Sequence, residues 1–238
     1  MAKITVLGSG GWGMALALTA LQNGCDVTLW SPFKEEVDTL REKRTNEKLL
    51  KGIYLPQEIN ITDDLSAVEG DTITIIAVPS IAVREVAHKL SGCKDFGIVV
   101  NVSKGLEKGS LKRLSQVITE ELPDSPVVVL SGPSHAEEVA RNIPTSLVAA
   151  GNTLSAAQAV QSIMANENLR IYTSTDLIGV ELGGALKNVI AVAAGLCDGL
   201  GLGDNTKAAL ITRGLAEMAR LGACMGAKEY TFAGLTGI

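Results

Sequence analysis

Apolar and polar residues form two different patterns along the first three quarters of the chain. Short continuous apolar runs rich in Val and Ile predict buried strands, and longer amphipathic stretches between them predict helices. Strands that alternate with helices in this way indicate right-handed crossovers and an α/β fold around a mostly parallel sheet. The predicted strands cover residues 3–7, 26–30, 72–78, 97–102, 126–130, 146–150 and 169–173. The predicted helices cover residues 11–22, 35–43, 81–90, 110–121 and 155–165, and residues 44–60 are predicted to be irregular.

The pattern changes near Asp176, and residues 177–238 contain no further predicted strand. Two long helices rich in Ala and Gly are predicted over residues 181–197 and 205–225, joined by a loop at 198–204. We therefore expect an α/β domain over residues 1–176 and the start of an all-helical domain over residues 177–238. Because so few helical residues make a thin domain, we expect a fragment or a chain that a partner completes.

Composition narrows the range of partners. Aromatic residues make up only 3% of the chain, so the core must be aliphatic, as it is around buried parallel strands. The formal net charge of −5 gives no long-range attraction to nucleic acid or to an anionic membrane. The N-terminal apolar run is too short for a signal peptide, and we expect no segment to be long and apolar enough to span a membrane. The expected protein is cytoplasmic, with no membrane insertion and no nucleic-acid partner.

Metal binding is not expected from the cysteines and histidines. The four cysteines form no Cys-x-x-Cys pair, and the two histidines lie far apart in sequence. Small buried thiols in a reducing compartment explain the cysteines better than a zinc site does.

The segment between the first predicted strand and helix reads Gly8-Ser9-Gly10-Gly11-Trp12-Gly13, a G-x-G-x-x-G spacing. Gly8 permits a tight turn, Gly10 lets the backbone approach a pyrophosphate, and Gly13 lets the helix pack against the strand. Free N–H groups at the start of the helix would then face the phosphates. In a strand–loop–helix context this spacing predicts a Rossmann-type dinucleotide site. It favours that site over a plain glycine-rich turn and over binding of S-adenosylmethionine.

The end of the second predicted strand bears on which dinucleotide is bound. An acidic residue there usually accepts a hydrogen bond from the ribose 2′-hydroxyl of NAD. Asp26 opens the strand and should lie at the wrong end, and the carboxyl end reads Trp30-Ser31-Pro32-Phe33-Lys34, without an acid. Because Lys34 could meet a 2′-phosphate, we predict NADP use, with NAD as the alternative. The other interpretation of Lys34 is an exposed lysine in the first turn of a helix.

Two further strand ends carry candidate site residues, because ligands of open α/β sheets bind beyond the carboxyl ends of the strands. Lys104 follows the fourth predicted strand and would project toward the cofactor cleft. The segment Ser131-Gly132-Pro133-Ser134-His135-Ala136 opens a helix and offers N–H groups and hydroxyls to an anion. Ser134 and Glu137 also fit the spacing of a capping box, which is the structural alternative. We expect His135 to pack or to face solvent rather than to act as an acid.

Within the apolar helix predicted over 181–197 lies the segment Gly183-Gly184-Ala185-Leu186-Lys187-Asn188. Two glycines lower helix propensity by about 1 kcal/mol each, which makes sense if something approaches this face closely. Desolvation and a nearby cation such as Lys104 would lower the pKa of Lys187 from about 10.4 toward about 7–8. A lysine with such a pKa is able to act as a general base. The alternative is a lysine that snorkels off the edge of the helix.

Together these motifs resemble the bacterial NAD(P)-dependent glycerol-3-phosphate dehydrogenases. The resemblance spans residues 4–238 and rests on GSGGWGMALA at 8–17, SKGLE at 103–107, SGPSHAEEVA at 131–140 and a long run at 178–222. It implies reversible reduction of dihydroxyacetone phosphate to sn-glycerol 3-phosphate with NAD(P)H, for glycerophospholipid synthesis. It also points to a homodimer and to chemistry without a metal.

The resemblance implies a role for each matching residue. Lys187 corresponds to the proton acceptor and also contacts substrate, Asn188 follows it in the site, and Lys104 contacts both substrate and cofactor. Gly132 and Ser134 correspond to positions that bind the substrate phosphate or hydroxyls. The implied cofactor contacts are Gly8, Gly10, Gly11, Trp12, Gly13 and Ala136.

The sequence departs from the family at several points. The family often has Ser at the position of Gly11, Phe at that of His135, and a basic residue near Pro32 that meets a 2′-phosphate. Members also run on past Ile238 and supply an Asp and an Arg-Asn pair. We therefore expect a complete dinucleotide site and an incomplete substrate site, so that this chain by itself need not be active.

Two other functions stay open on the sequence. A 3-hydroxyacid or 6-phosphogluconate-type dehydrogenase would also combine a Rossmann-type domain with a Lys-Asn pair on a helix. A dinucleotide-binding module without catalysis would need only the glycine loop. A substrate screen separates the first from a glycerol-3-phosphate dehydrogenase, and oxidation of the reduced cofactor on addition of dihydroxyacetone phosphate separates the second.

Overall fold

The computed structural model describes residues 1–237, and Ile238, the last residue of the predicted helical domain, lies outside the described residues. The strands are β1 (Lys3–Leu7), β2 (Asp26–Trp30), β3 (Asn60–Thr62), β4 (Ile73–Ile76), β5 (Ile98–Asn101), β6 (Val127–Ser131), β7 (Thr145–Gly151) and β8 (Leu169–Ser174). The helices are α1 (Gly11–Gln22), α2 (Lys34–Lys43), α3 (Val83–Leu90), α4 (Leu114–Glu121), α5 (Ala136–Ala140), α6 (Leu154–Met164), α7 (Leu177–Gly199) and α8 (Gly203–Cys224).

The eight strands form one sheet in the order β3-β2-β1-β4-β5-β6-β7-β8. Every neighbouring pair is parallel except β6 and β7, which are antiparallel. The prediction of an α/β fold with a mostly parallel sheet, followed by helices, is therefore confirmed. The strand order reverses between β1 and β4, and this switch point is where such sheets open a crevice for ligands.

The central strands of the sheet are buried on both faces, which explains their continuous apolar runs. All four residues of β4 and all five of β6 are buried. Side chains of α1, α2 and α6 pack in the core on one face, where they include Leu16, Val37 and Val160. Side chains of α3 and α4, such as Val86 and Val117, pack in a second core on the other face.

Several element boundaries differ from the predicted ones. The helix predicted from residue 110 begins at Leu114, because Gly109 and Leu111 have φ angles of 95° and 58° and form a turn before it. Strand β3 lies at the edge of a segment that the sequence analysis treats as irregular. Helix α7 begins four residues earlier than predicted, at Leu177, where the Asp176 carboxylate accepts a hydrogen bond from the Gly179 N–H at 3.0 Å.

The expectation that no segment is long and apolar enough to span a membrane is wrong. Helix α7 meets that criterion by length and composition alone, with 39% of its most apolar window buried inside the protein. Its first turns, from Leu177 to Gly184, pack against the sheet and the following segments. The first part of α7 lies in the protein core, and a core helix can have the same apolar composition as a membrane span.

A buried ion pair joins α7 to the start of α4. The Glu181 carboxylate accepts hydrogen bonds from the Ser115 N–H at 2.7 Å, the Ser115 hydroxyl at 2.5 Å and the Arg113 guanidinium at 2.9 Å. The Glu181 and Arg113 side chains are only 2% and 11% exposed. Because breaking a buried pair leaves an uncompensated charge, this contact holds α7 against the start of α4.

Candidate active site

The glycine loop connects β1 to α1 through contacts that leave no room for side chains. Gly8 has a φ angle of 121°, and a Cβ there would lie 2.6 Å from the Ala77 carbonyl oxygen on the neighbouring strand end. A Cβ on Gly13 would overlap the Gly8 carbonyl oxygen. Both glycines therefore hold the turn and the helix against the sheet, as the spacing predicts.

Gly10 differs from its neighbours because it faces open space. A Cβ on Gly10 would meet no atom within 4 Å. Gly10 is also the N-cap of α1, and no side chain caps the helix. The first N–H groups of α1 thus point toward an open volume beside an exposed backbone, an arrangement that binds pyrophosphate in dinucleotide sites. The loop fits a dinucleotide on this ground.

Gly11, in contrast to Gly10, is enclosed by the turn at Leu49 and by α5. A Cβ on Gly11 would lie 2.5 Å from the Leu49 carbonyl oxygen and 3.6 Å from the Ala136 Cβ. A serine side chain at this position would therefore require the turn at Leu49 to move. Ala136 and Trp12 are half-buried and pack against the main core, so both lie beside the glycine loop.

A cleft of about 470 Å³ opens at the switch point between β1 and β4. It is lined by the glycine loop, the segment after β2, the end of β4 and the start of α3, including Gly8, Gly10, Ser31, Glu36 and Lys89. Asp26 lies at the opposite end of the sheet, at the start of β2 beside Lys3 of β1, as predicted. Lys34 is not among the residues that line the cleft, and its ammonium instead pairs with Asp38 at 3.3 Å.

A second cleft, of about 440 Å³, lies where the ends of β5 and β6 face α7 and α8. It brings together the sequence-predicted residues Lys104, Ser134, Lys187 and Asn188. His135 also lines it and is exposed, so of the two expected placements, packing or facing solvent, it has the second. The rest of the lining is mainly apolar and comes from Ile190, Ala191, Ala194, Ile211 and Leu215.

Lys187 is held at the inner end of this cleft. Its Nζ donates a hydrogen bond to the Gly132 carbonyl oxygen at 2.7 Å. Gly132 has a φ angle of 154°, and a Cβ there would lie 2.9 Å from the Ser146 carbonyl oxygen, so the turn that presents this carbonyl needs glycine. Desolvation, and secondly the charge of Lys104, lower the pKa of Lys187 to about 8. A neutral amine is thus accessible near physiological pH.

Lys104 and Ser134 form the other side of the polar part of the cleft. The Lys104 Nζ donates to the Ser134 Oγ at 3.2 Å, and that hydroxyl donates to the Gly132 carbonyl oxygen, also at 3.2 Å. Burial lowers the pKa of Lys104. The N-cap of α5 is His135, without a side-chain cap, so the interpretation of Ser134 and Glu137 as a capping box is wrong.

The two glycines before Lys187 allow other parts of the protein, rather than a ligand, to approach α7 closely. A Cβ on Gly183 would lie 2.5 Å from the Thr236 carbonyl oxygen, and one on Gly184 would overlap the Ser131 hydroxyl. These contacts bring α7 against β6 and the segment after α8. They also carry Lys187, one turn further along, into the cleft.

Two residues of the dinucleotide cleft, Glu36 and Leu49, are not predicted from the sequence. Glu36 lines the dinucleotide cleft although it lies on α2, six residues beyond the end of β2 at Trp30, where an acid is usually sought. The indication that the sequence offers for Glu36 is its position in the first turn of α2, which faces back toward the end of β2. The Leu49 carbonyl, which closes the loop at Gly11, lies in a segment without a motif and offers no comparable signal.

Within residues 1–237, no group of three or more His, Cys, Asp or Glu side chains is arranged to hold a metal ion. The four cysteines are free.

A dinucleotide cleft at the switch point, next to a pocket with a low-pKa lysine on a helix that follows the sheet, defines a nicotinamide-dependent dehydrogenase. Family models identify which family of dehydrogenases this is. The model for the N-terminus of NAD-dependent glycerol-3-phosphate dehydrogenase matches residues 3–157, and the model for its C-terminus matches residues 176–238. The chain belongs to the NAD-dependent glycerol-3-phosphate dehydrogenase family.

Individual relatives agree with this assignment. Two curated proteins called glycerol-3-phosphate dehydrogenase [NAD(P)+] are similar over the whole chain. The one from Desulfitobacterium hafniense is 52% identical, and the chain covers 68% of its length. The one from Geobacillus thermodenitrificans is 53% identical, with 71% covered. The crystal structure of glycerol-3-phosphate dehydrogenase from Coxiella burnetii superposes with a TM-score of 0.93 at 40% identity, covering 99% of this chain and 73% of that one.

Proposed function

We propose that the protein reversibly reduces dihydroxyacetone phosphate to sn-glycerol 3-phosphate with NAD(P)H. The observation that carries this proposal is Lys187, whose pKa is lowered to about 8 in a cleft that it shares with Lys104. The bound nicotinamide supplies or accepts the hydride. The protein's own residues supply the proton and the electrostatic environment.

Lys187 is the proposed proton-transfer group. In the reducing direction its ammonium polarises the substrate carbonyl and donates a proton to the oxygen. In the oxidising direction the neutral amine takes the proton from the C2 hydroxyl. The hydrogen bond to the Gly132 carbonyl holds the Nζ atom in place, and Asn188 follows it at the cleft wall.

Lys104 is proposed to contact both substrate and cofactor, and Gly132 and Ser134 to bind the substrate phosphate or hydroxyls. Support comes from the charge of the cleft: the described lining contains two lysines and no acidic residue. Such a cleft attracts a phosphorylated substrate and stabilises a developing alkoxide.

The proposed cofactor site is the glycine loop with its neighbours. The proposed contacts are Gly8, Gly10, Gly11, Trp12, Gly13, Lys104 and Ala136, and their support is the open face at Gly10 and the uncapped start of α1. We assign cofactor binding to residues 1–176 and the proton-transfer lysine to the helical region 177–238. The product is proposed to supply glycerophospholipid synthesis.

Three further properties belong to the same proposal. The protein is proposed to act in the cytoplasm, to remain outside the membrane, and to form a homodimer. The first buried turns of α7 support a core helix over a membrane span. The exposed apolar side chains further along the helix, Val189, Val192 and Leu196, together with Leu200 directly after it, support an interface with a second copy.

A second candidate function is dinucleotide binding without turnover. The observation that favours it is that all residues lining the dinucleotide cleft fall between Gly8 and Lys89, independent of the lysine cleft. One experiment separates the two functions. Purified protein is titrated with NADH by calorimetry, and absorbance at 340 nm is then followed on addition of dihydroxyacetone phosphate. Binding together with oxidation that depends on dihydroxyacetone phosphate supports the dehydrogenase, and binding without oxidation supports the module.

A further inference from the structure

We propose that Glu36, held by Ser31, makes the dinucleotide site select NADH over NADPH. The inference rests on the proposed function only for the cofactor class. It adds a specificity-determining residue that the motif at the end of β2 does not reveal.

Ser31 occupies the position directly after β2 where an acid usually reads the cofactor ribose. It is buried, and its N–H donates to the Thr62 carbonyl oxygen at 3.0 Å, so the strand end is fixed. The Ser31 hydroxyl donates to the Glu36 Oε2 at 2.6 Å. The carboxylate therefore comes from α2 back to the strand end, and both residues line the dinucleotide cleft.

The Glu36 carboxylate has acceptor capacity left for a ligand. Within residues 1–237 the Ser31 hydroxyl is the donor that contacts it, and it does so at Oε2. Glu36 is half-buried and faces the cleft, so Oε1 is available to a hydroxyl. A ribose 2′-hydroxyl is such a donor. A 2′-phosphate carries negative charge and no donor when ionised, and a carboxylate repels it.

The other charges of the cleft do not offset Glu36. The remaining charged residues of the lining are Glu85 and Lys89, and these pair with each other at 2.7 Å. The cleft is left with one net negative charge. Lys34, the residue that the sequence suggests for a 2′-phosphate, is 72% exposed, pairs with Asp38, and lies outside the lining.

Calorimetric titration with NADH and with NADPH tests this without turnover, on wild type, Glu36→Gln and Lys34→Gln. Glutamine removes the charge and retains an oxygen that can accept from Ser31. We expect wild type to bind NADH at least about tenfold tighter than NADPH, in line with a hydrogen bond to a charged group. Glu36→Gln should bring the two dissociation constants within about threefold, mainly by tighter NADPH binding. Lys34→Gln should leave their ratio unchanged.

A thermal melt with retained NADH binding shows that each variant is folded, and Glu36→Asp, which keeps the charge, should still prefer NADH. Equal or tighter binding of NADPH by wild type would overturn the inference, as would a ratio unchanged in Glu36→Gln. A loss of NADPH affinity confined to Lys34→Gln would assign the specificity to that lysine instead. If neither dinucleotide binds wild type, both the proposed cofactor site and this inference are wrong. Turnover plays no part in the test, so an inactive protein that prefers NADH would contradict only the proposed function.

Discussion

At the scale of single residues, two lysines with unlike partners lie in the second cleft, the proposed substrate cleft. Lys187 bonds a backbone carbonyl oxygen, and Lys104 bonds a hydroxyl. Neither has an acidic partner in the described lining, so burial is not offset by an ion pair. That combination lowers both pKa values, and it is the property that proton transfer at neutral pH requires.

The pH dependence of the two reaction directions follows from the Lys187 pKa of about 8. Below this pH the side chain is an ammonium that can donate, and above it an amine that can accept. We expect kcat/KM for dihydroxyacetone phosphate reduction to fall as pH rises through about 8. The value for glycerol 3-phosphate oxidation should rise over the same interval. Steady-state kinetics in both directions measures this, and profiles that are flat across the interval would contradict the assignment.

The glycines of the loop should separate into structural and ligand-facing positions. Gly10→Ala places a methyl group in open space at a φ of −66°, so the free energy of unfolding should change little. The same methyl should obstruct the pyrophosphate and weaken NADH binding at least about tenfold. Gly13→Ala overlaps the Gly8 carbonyl and should destabilise the fold by roughly 1–3 kcal/mol. Urea denaturation and NADH titration measure both effects, and a destabilised Gly10→Ala with normal NADH affinity would refute the division.

Residue patterns predict some of these features and not others. The role of Gly13 and the low pKa of Lys187 follow from the sequence, because strand–loop–helix context and an apolar helix constrain their surroundings. Glu36 does not follow, because its approach to Ser31 depends on how the first turn of α2 leaves the strand. The enclosure of Gly11 does not follow from the sequence either, since the carbonyl that excludes a side chain there belongs to Leu49, in a segment without a motif.

At the scale of elements, α7 is the part that joins the sheet to the substrate cleft. Its N-terminal end is capped by Asp176, its second turn is tied to α4 by Glu181, and its next turn carries Lys187. The position of the catalytic lysine proposed here therefore depends on contacts made before it on the same helix.

Glu181→Ala should be strongly destabilising. It leaves the Arg113 guanidinium, 11% exposed, without its partner, and it removes two acceptors from Ser115. Loss of one partner of a buried pair costs about 3–5 kcal/mol, and urea denaturation measures it. The control is Glu217→Ala on α8, whose pair with Arg220 is exposed on both sides and should contribute less than about 1 kcal/mol. Equal effects of the two substitutions would contradict the proposed anchor.

Element prediction from sequence succeeds where one face or both faces of an element are buried in the main core. Strands β1 and β2 and helix α1 have the predicted bounds because their apolar runs end at glycines or polar residues. The start of α4 fails, because Leu111 takes a positive φ that an apolar side chain rarely adopts. Strand β3 fails because its three residues pair only with β2 at the edge of the sheet, too few to form a pattern.

At the scale of the whole molecule, the sheet places the two clefts side by side at the carboxyl ends of the parallel strands. The helices after the sheet then cover the substrate cleft on one side and leave an apolar strip of α7 exposed. Relatives are longer, and the chain covers 68–73% of the length of the three compared above.

The exposed strip predicts self-association. Multi-angle light scattering after gel filtration should give about twice the 24.8 kDa chain mass. Val192→Glu with Leu196→Glu, at side chains 67% and 62% exposed, should yield the monomer. Tyr54→Glu, equally exposed at 65% on the segment between α2 and β3, is the control and should not change the mass. A wild-type monomer at all concentrations would rule out this interface.

Proton transfer by Lys187 is the central step of the proposed reduction of dihydroxyacetone phosphate. The most direct measurement compares wild type with Lys187→Ala, using kcat for dihydroxyacetone phosphate at 340 nm and the NADH dissociation constant by calorimetry. The predicted result is a fall in kcat of about 10²–10⁴-fold with NADH affinity within about twofold of wild type. Turnover retained at the wild-type level would contradict the account.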